Sequence, residues 1–420
     1  MNVGFMGLGK LGLPCALAME HYGTHKIFGF DVNPGVLENI KARRIPYTEA
    51  GAQDLLDRSQ ITLCDVQALV RSSDIVFIAV QTPHAPEFEG VTPLPSERAD
   101  FDYSFLLDAI ETVCRATFER QTPLPVAIIS TVLPGTIERE IIPRLNPGIE
   151  LYYNPFFIAM GTAIEDFMNP EFVLLGSPEG CDGARLKELY ASLHNHEVLH
   201  VSISSAELIK VAYNTFIGLK IAFVNTLMEV ADASGANVDD VTVALGKATK
   251  RLISTRYMRA GMGDGGGCHP RDNIAMSHFA RRLGLSYDLF ESIMLARERQ
   301  AEWLARMAIQ ASTEHSLPIV ILGKAFKPET NLTVGSPARL LADLLDRAGV
   351  HFQAYDPVMD GPPISEFGQS IFVIATAHET FREWHFPQGS VVIDPWAMVE
   401  TDGNFSLRQP GRKFPRRLYE

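Results

Sequence analysis

The first 31 residues restrict the fold more than any other segment. Asn2 to Met6 alternates into a short apolar strand that stops at Gly7-Leu8-Gly9-Lys10-Leu11-Gly12, and Leu13 to His21 then carries helical spacing. A second strand, Lys26 to Phe30, ends on Asp31, about 20 residues past the glycines. Strand, glycine turn, helix and strand-end acid in this order predict a dinucleotide-binding unit. Gly7 permits the tight turn, Gly9 lets the backbone approach a pyrophosphate, and Gly12 lets helix and strand pack closely. Lys10 and Leu11 share that turn, and the helix N-terminus adds its positive dipole to the phosphates. Asp31 is placed to accept from both ribose hydroxyls and to repel a 2′-phosphate, and neither Val32 nor Asn33 supplies a cation. The expected cofactor is therefore NAD rather than NADP.

Apolar strands recur at Ile75 to Val80, Val126 to Ser130 and Glu150 to Tyr153, separated by helical stretches, which predicts a parallel sheet. From Ser205 to about Ser234 runs one long segment with no Pro, rich in Ala, Leu, Ile and Val, opening with Ser204-Ser205-Ala206-Glu207 as a capping box. Helical patterning continues to Arg299, interrupted by the glycine-rich stretch Gly261 to Gly267. Near Pro318 the first pattern returns: a strand at Ile319 to Gly323, a helix at Ser336 to Ala348, and a strand from Phe352 to Asp356. Ala354-Tyr355-Asp356-Pro357 mirrors Gly29-Phe30-Asp31, and Ile371 to His378 mirrors Ile75 to Pro83, so a second doubly wound unit is expected, without the full glycine fingerprint. The fold class is α/β: two Rossmann-like doubly wound domains joined by a central helical domain with one long helix. The expected boundaries are 1–200 for the NAD-binding domain, 201–310 for the helical and dimerisation domain, and 311–420 for the second Rossmann-like domain. The stretch after Gly403, with Arg412, Arg416 and Arg417, reads as a solvated end.

A chain of 420 residues has room for two or three cores. Its formal charge of −13 argues against nucleic acid or an anionic membrane as partner, since an acidic surface repels polyanions. Cys15, Cys64, Cys114, Cys181 and Cys268 show no paired spacing, so neither a disulfide framework nor a metal site is expected. No targeting pattern or membrane-length apolar run is visible, and a cytoplasmic location is expected.

Two further strand ends, Val80-Gln81-Thr82-Pro83 and Ser130-Thr131 to Thr136, place hydroxyl residues where parallel sheets present ligands. Cys268 lies in Gly265-Gly266-Gly267-Cys268-His269-Pro270-Arg271-Asp272, polar and glycine-rich, unlike the surroundings of an inert core cysteine. Cationic neighbours favour the thiolate, which makes Cys268 a candidate nucleophile. On the long helix, Lys210 and Asn214 are spaced i, i+4 and share a face amid apolar neighbours, which favours burial beside a ligand.

Taken together, these motifs resemble the UDP-glucose/GDP-mannose dehydrogenase family over nearly the whole chain. The matching blocks are the glycine fingerprint, Ser130 to Thr136, Asn154-Pro155 with Gly161-Thr162-Ala163, Glu207 to Asn214, the Cys268 segment, Ala325-Phe326-Lys327 to Pro337, and Tyr355-Asp356-Pro357. The resemblance implies a homodimer built on the long helix and a four-electron oxidation of a nucleotide sugar's primary alcohol to the uronic acid, a precursor for polysaccharide biosynthesis, with two NAD per turnover. It implies that Cys268 is the nucleophile, Lys210 and Asn214 stabilise oxyanions, Asp272 assists proton transfer and Thr131 lies near the reacting carbon. It places Phe156, Phe157, Met160, Arg251, Tyr257, Gly265, His269 and Lys327, with Lys210 and Asn214, on the substrate side, and Thr82 and Thr131 beside the cofactor.

The chain also departs from the family pattern. Asn154-Pro155-Phe156-Phe157-Ile158-Ala159-Met160-Gly161 carries Phe156 and Met160 where family members usually have glutamates, the first of which helps to activate water. Arg271 replaces a usual lysine, and Val334 and Trp396 fall where arginines are common on the substrate side. Two other readings stay open: a divergent enzyme that stops after two electrons or takes an atypical nucleotide sugar, and a non-catalytic nucleotide-binding protein. Retention of Cys268, Lys210, Asn214 and Asp272 together speaks against the second.

Overall fold

The computed structural model describes residues 1–420 apart from 84, 86–98, 255–259, 263–267, 329, 362–366, 402 and 412–420, and leaves out the side chains of 119, 268, 271, 272 and 275. The chain divides into two compact units, Met1–Leu219 and Lys220–Glu420.

The first unit holds an eight-stranded sheet. Its strands are β1 (Asn2–Met6), β2 (Lys26–Phe30), β3 (Thr62–Leu63), β4 (Ile75–Ile78), β5 (Leu124–Ile128), β6 (Ile149–Tyr153), β7 (Val173–Ser177) and β8 (Val198–Ser202), in the order β3-β2-β1-β4-β5-β6-β7-β8. The first six are parallel in the doubly wound order; β7 then runs antiparallel to β6, and β8 follows parallel to β7. Helices α1 (Gly12–Gly23), α2 (Pro34–Lys41), α3 (Ala52–Arg58), α4 (Val66–Ser72), α5 (Ser104–Ala116), α6 (Ala163–Met168) and α7 (Ala184–Ala191) complete the unit. The central strands read as continuous apolar runs because helices cover both faces. Val3 and Phe5 pack with α1 on one side, while Val76, Ile78 and Val126 pack with α5 on the other.

The long helix α8 (Ile203–Ser234) is followed by α9 (Val238–Gly246), α10 (Cys268–Leu283) and α11 (Leu289–His315). Along α8, Leu208, Phe216, Ile217, Ile221, Val224 and Met228 are exposed. The expected capping box does not form. The Ser202 hydroxyl accepts from Ser205 N–H at the start of the helix, whereas the Glu207 carboxylate is fully buried and turned to another segment.

In the second unit, β9 (Ile319–Leu322), β10 (Phe352–Tyr355), β11 (Ile371–Ile374), β12 (Val391–Ile393) and β13 (Ser406–Arg408) form a parallel sheet ordered β10-β9-β11-β12-β13. α11 and α12 (Pro337–Arg347) bury Leu304, Met307, Ala308, Leu341 and Leu345 against one face, and an aromatic cluster including Phe372, Phe381 and Phe386 covers the other. The segment after Gly403 is not simply a solvated end. Ser406, Leu407 and Arg408 pair with Val391, Val392 and Ile393 as the edge strand, too short and too polar to stand out in the sequence. Arg412, Arg416 and Arg417 lie outside the described residues.

The expected repeat is reproduced in individual hydrogen bonds. Gly7 N–H donates to Phe30 O (2.8 Å), and Gly323 N–H to Tyr355 O (2.6 Å). Leu8 N–H donates to Asp31 Oδ2 (2.7 Å), and Lys324 N–H to Asp356 Oδ2 (2.7 Å). Both glycines sit at φ of +100°. Among the described residues, no helix is long and apolar enough to cross a membrane.

Candidate active site

Each glycine of the fingerprint answers to a different constraint. Gly7 needs its positive φ, and a Cβ there would meet Ala79 O at 2.6 Å. A Cβ on Gly12 would lie 2.1 Å from Gly7 O, so strand and helix approach too closely for any side chain. Gly9 has neither a positive φ nor a neighbour within 4 Å of a notional Cβ. The turn is thus open to solvent above Gly9, where a pyrophosphate would need to approach the backbone. The first turn of α1 carries no acidic residue, and no side chain caps it, which leaves the dipole and N–H groups to a ligand. Asp31 is half-buried, with Oδ2 accepting from Leu8 N–H and Oδ1 from Asn33 N–H (2.8 Å). Both oxygens keep acceptor capacity for hydroxyl donors. These residues fit NAD. Lys10 is exposed and Leu11 half-buried in the turn, and Val32, beside Asp31, is exposed.

The ends of β4 and β5 are tied together. Thr82 Oγ1 donates to Thr131 O (2.7 Å) and Ser130 Oγ to Val80 O (2.5 Å). The rest of the Ser130 to Thr136 segment is fastened to α8 by Glu207, whose Oε2 accepts from Gly135 N–H (2.6 Å) and Oε1 from Ile137 N–H (2.8 Å). Burial raises the Glu207 carboxyl above the usual range, opposed by those two amide donors. The apolar pattern of α8 gave no sign of this anchor, because a buried acid interrupts the pattern in the same way as a capping residue.

One turn further along α8, Lys210 is 93% withdrawn from solvent, at 7% exposure. Its Nζ donates to Phe156 O (2.6 Å) and lies 4.8 Å from the centre of the Phe157 ring. Burial lowers its pKa to about 8. Asn214 is exposed. Phe156 turns its ring into the core against Phe77 and Phe167, so what it offers near Lys210 is its carbonyl. Phe157 packs between Phe172 and Tyr213, and Met160 is 60% exposed. The two positions that depart from the family's glutamates therefore hold a core ring and an exposed thioether.

In the second unit Cys268 is the first residue of α10, His269 is exposed, and its carbonyl accepts from the Asn273 amide (2.9 Å). Arg251 and Lys327 are exposed, the Lys327 Nζ lying 5.5 Å from the Phe326 ring centre. Val334 is exposed, and Trp396 is half-buried against Gly261. Tyr257 and Gly265, with the side chains of Cys268, Arg271 and Asp272, lie outside the described residues. Asp356 differs from its counterpart Asp31 in being fully buried, where it accepts from Lys324, Ala325 and Val358 N–H and meets His378 Nε2 at 3.3 Å. These contacts hold its carboxyl below the usual range although burial opposes them.

A doubly wound sheet with an open glycine turn, an uncapped helix N-terminus and a strand-end acid defines a dinucleotide-binding unit of the kind that holds NAD. Residues 1–194 match the NAD binding domain of the UDP-glucose/GDP-mannose dehydrogenase family and residues 204–298 its central domain. The chain belongs to that family. It is 31% identical to a UDP-glucose 6-dehydrogenase of Rhizobium meliloti, over 85% of this chain and 82% of that protein. It is 29% identical to a GDP-mannose 6-dehydrogenase of Pseudomonas aeruginosa, over 85% and 81%. A crystal structure of a ternary complex of the Pseudomonas aeruginosa GDP-mannose dehydrogenase shares the fold, with a TM-score of 0.84 at 24% identity over 97% of this chain and 99% of that one.

Proposed function

We propose that the protein oxidises the primary alcohol of a nucleotide sugar, a UDP- or GDP-hexose, to the uronic acid through a covalent intermediate on Cys268. Bound NAD+ supplies the hydride acceptor, one per two-electron step. The alcohol loses a hydride and a proton to give an aldehyde, and the Cys268 thiolate adds to its carbonyl carbon. The resulting thiohemiacetal anion loses a second hydride to give a thioester, and water releases the carboxylate, the thiol and a proton. Lys210 and Asn214 donate to the oxyanion at the tetrahedral stages, with Thr131 beside the reacting carbon. The observation that carries this reading is Lys210: a buried ammonium whose pKa burial lowers, held by a carbonyl and an aromatic face. Such a preorganised donor suits a charge that appears only during reaction, and removal of one oxyanion donor costs about 2.7–4 kcal/mol elsewhere. Arg251, Lys327, Tyr257, Gly265 and His269 are assigned to the substrate side. With Phe156 and Met160 in place of carboxylates, Asp272, or failing it His269, activates the water. The apolar residues exposed along α8 support a homodimer built on that helix, and sedimentation as a monomer at micromolar concentration would count against it.

A panel of UDP- and GDP-hexoses, with NADH counted per product, tests the assignment. Two NADH per carboxylate are expected from wild type, and none from Cys268→Ser, with NAD binding retained. One NADH per aldehyde would favour the two-electron reading, which Phe156 and Met160 make the main alternative. No turnover across the panel would favour a nucleotide-binding protein. A thioester adduct that builds up by intact mass in Asp272→Ala or His269→Ala identifies the base.

A further inference from the structure

The turn after β12 is closed around one buried acid. Asp394 accepts from the N–H groups of Trp396 (3.0 Å), Met398 (2.7 Å) and Val399 (2.9 Å) and from the Gln409 amide (3.1 Å). Within it Ala397 is held at φ of +52°, a left-handed conformation that a residue with a Cβ keeps only when its surroundings impose it. The turn presents Trp396 to Gly261. A Cβ on Gly261 would come within 2.3 Å of two carbons of the indole ring, while the φ of Gly261 lies outside the left-handed region. The ring, not the backbone conformation, is therefore what demands glycine there. Gln300 Nε2, on α11, donates to Gly261 O (3.2 Å), and the next residue, Met262, is buried in the core under the sheet. An aromatic face, a hydrogen bond and a core side chain thus fix the chain where it enters residues 263–267.

The far side of that segment is tied to the same helix. α10 starts at Cys268 and packs along α11, where Ser277 Oγ donates to Asp288 Oδ2 (2.6 Å) and Arg281 pairs with Asp288 and Glu291. Asp288 in turn caps α11 through Glu291 N–H. So α11 carries anchors on both sides of the five residues that precede Cys268.

We propose that Trp396 and Gln300 are positioning residues for Cys268: by seating Gly261 they govern the reactivity of the Cys268 thiol. The proposal rests on the reading of Cys268 as nucleophile. It also gives Trp396 a role other than that of the arginines common at its position in the family, since the indole acts by packing on the glycine rather than by charge.

The test is a double-variant cycle on the full-length enzyme: Gly261→Ala, Trp396→Leu and the pair. The readouts are the rate of Cys268 alkylation by iodoacetamide, resolved from the other four cysteines by peptide mass spectrometry, and kcat with KM for NAD on the nucleotide sugar turned over. Gly261→Ala is expected to change Cys268 alkylation by about tenfold and to lower kcat in step, with KM for NAD unmoved; adding Trp396→Leu recovers most of the loss, as coupled neighbours do. Gln300→Leu adds no volume and keeps the measurement available if Gly261→Ala fails to fold; a smaller change in the same direction is expected. Effects that simply multiply, or alkylation unchanged in all variants, would overturn the proposal. Acid formation that survives Cys268→Ser would instead overturn the nucleophile reading, and the alkylation cycle would still decide whether Trp396 seats the segment.

Discussion

Exchanging Gly9 and Gly12 for alanine, one at a time, separates cofactor contact from packing within a single turn. A Cβ on Gly12 lies 2.1 Å from Gly7 O and 3.1 Å from the Ala79 methyl, and neither the turn backbone nor the strand beside it can retreat cheaply. Overpacking of this kind costs about 1–3 kcal/mol, and with a backbone oxygen as the obstacle the upper end applies. At roughly 2–4 °C per kcal/mol for a unit of this size, Gly12→Ala should lower Tm by about 6–12 °C. Gly9→Ala meets nothing within 4 Å and breaks no positive φ, so its stability should stay within about 0.5 kcal/mol of wild type. Its methyl does occupy the space through which a pyrophosphate must approach, so NAD affinity should fall at least about tenfold, or 1.4 kcal/mol. Differential scanning fluorimetry without cofactor and calorimetric titration with NAD+ measure the two quantities independently. A Gly9→Ala protein that binds NAD+ as tightly as wild type, or melts as early as Gly12→Ala, would show that the open space is not the phosphate site.

Asp31 predicts a higher kcat/KM with NAD+ than with NADP+, and equal values for the two cofactors would sink that assignment. Lys210→Met should end acid formation yet leave stability near pH 7 within about 1 kcal/mol of wild type. It removes a burial penalty of about 3 kcal/mol, from a pKa lowered from 10.5 to about 8, against a lost charged hydrogen bond of about 2 kcal/mol and a ring contact of about 1 kcal/mol, so the terms nearly cancel. Relative to the variant, wild type should gain stability above pH 8 as its buried amine becomes neutral; a large Tm loss at pH 7, or a difference that does not change with pH, contradicts it. Burial lowers the pKa of both His25 and His194, so the unfolded chain binds the extra protons first as pH falls below about 6.5. Thermal melts should therefore drop between pH 7.5 and 5.5, and His25→Gln with His194→Gln should flatten that slope; an unchanged slope refutes it.

Elements that bury an unbroken apolar run are legible in the sequence, because burial on both faces leaves a plain signature at β4, β9 and β11. The glycine fingerprint was legible for a related reason, since each glycine answers a steric demand that no other residue meets. Three kinds of feature escaped. Short polar strands such as β13 are defined by their neighbour's free edge rather than by their own residues. Glu207 has the spacing of a local cap, but it bonds 70 and 72 positions away, a link that no periodicity encodes. The link between Phe156 and Lys210 runs through a backbone carbonyl while the ring goes to the core, a contact that no residue type announces.

The paired strand-end acids can be compared by acceptor valence. A carboxylate offers about four lone-pair sites. Asp31 commits two of them, to Leu8 and Asn33, and so keeps two in hand, as many as the hydroxyls of one ribose. Asp356 takes three donors on Oδ2, from Lys324 N–H, Ala325 N–H and the His378 ring, and Val358 N–H on Oδ1, and it is fully buried. From one architectural plan the chain has thus made an acid left open to a ligand and one enclosed by the protein's own donors. A ribose bound at the second sheet would have to find its acceptors elsewhere.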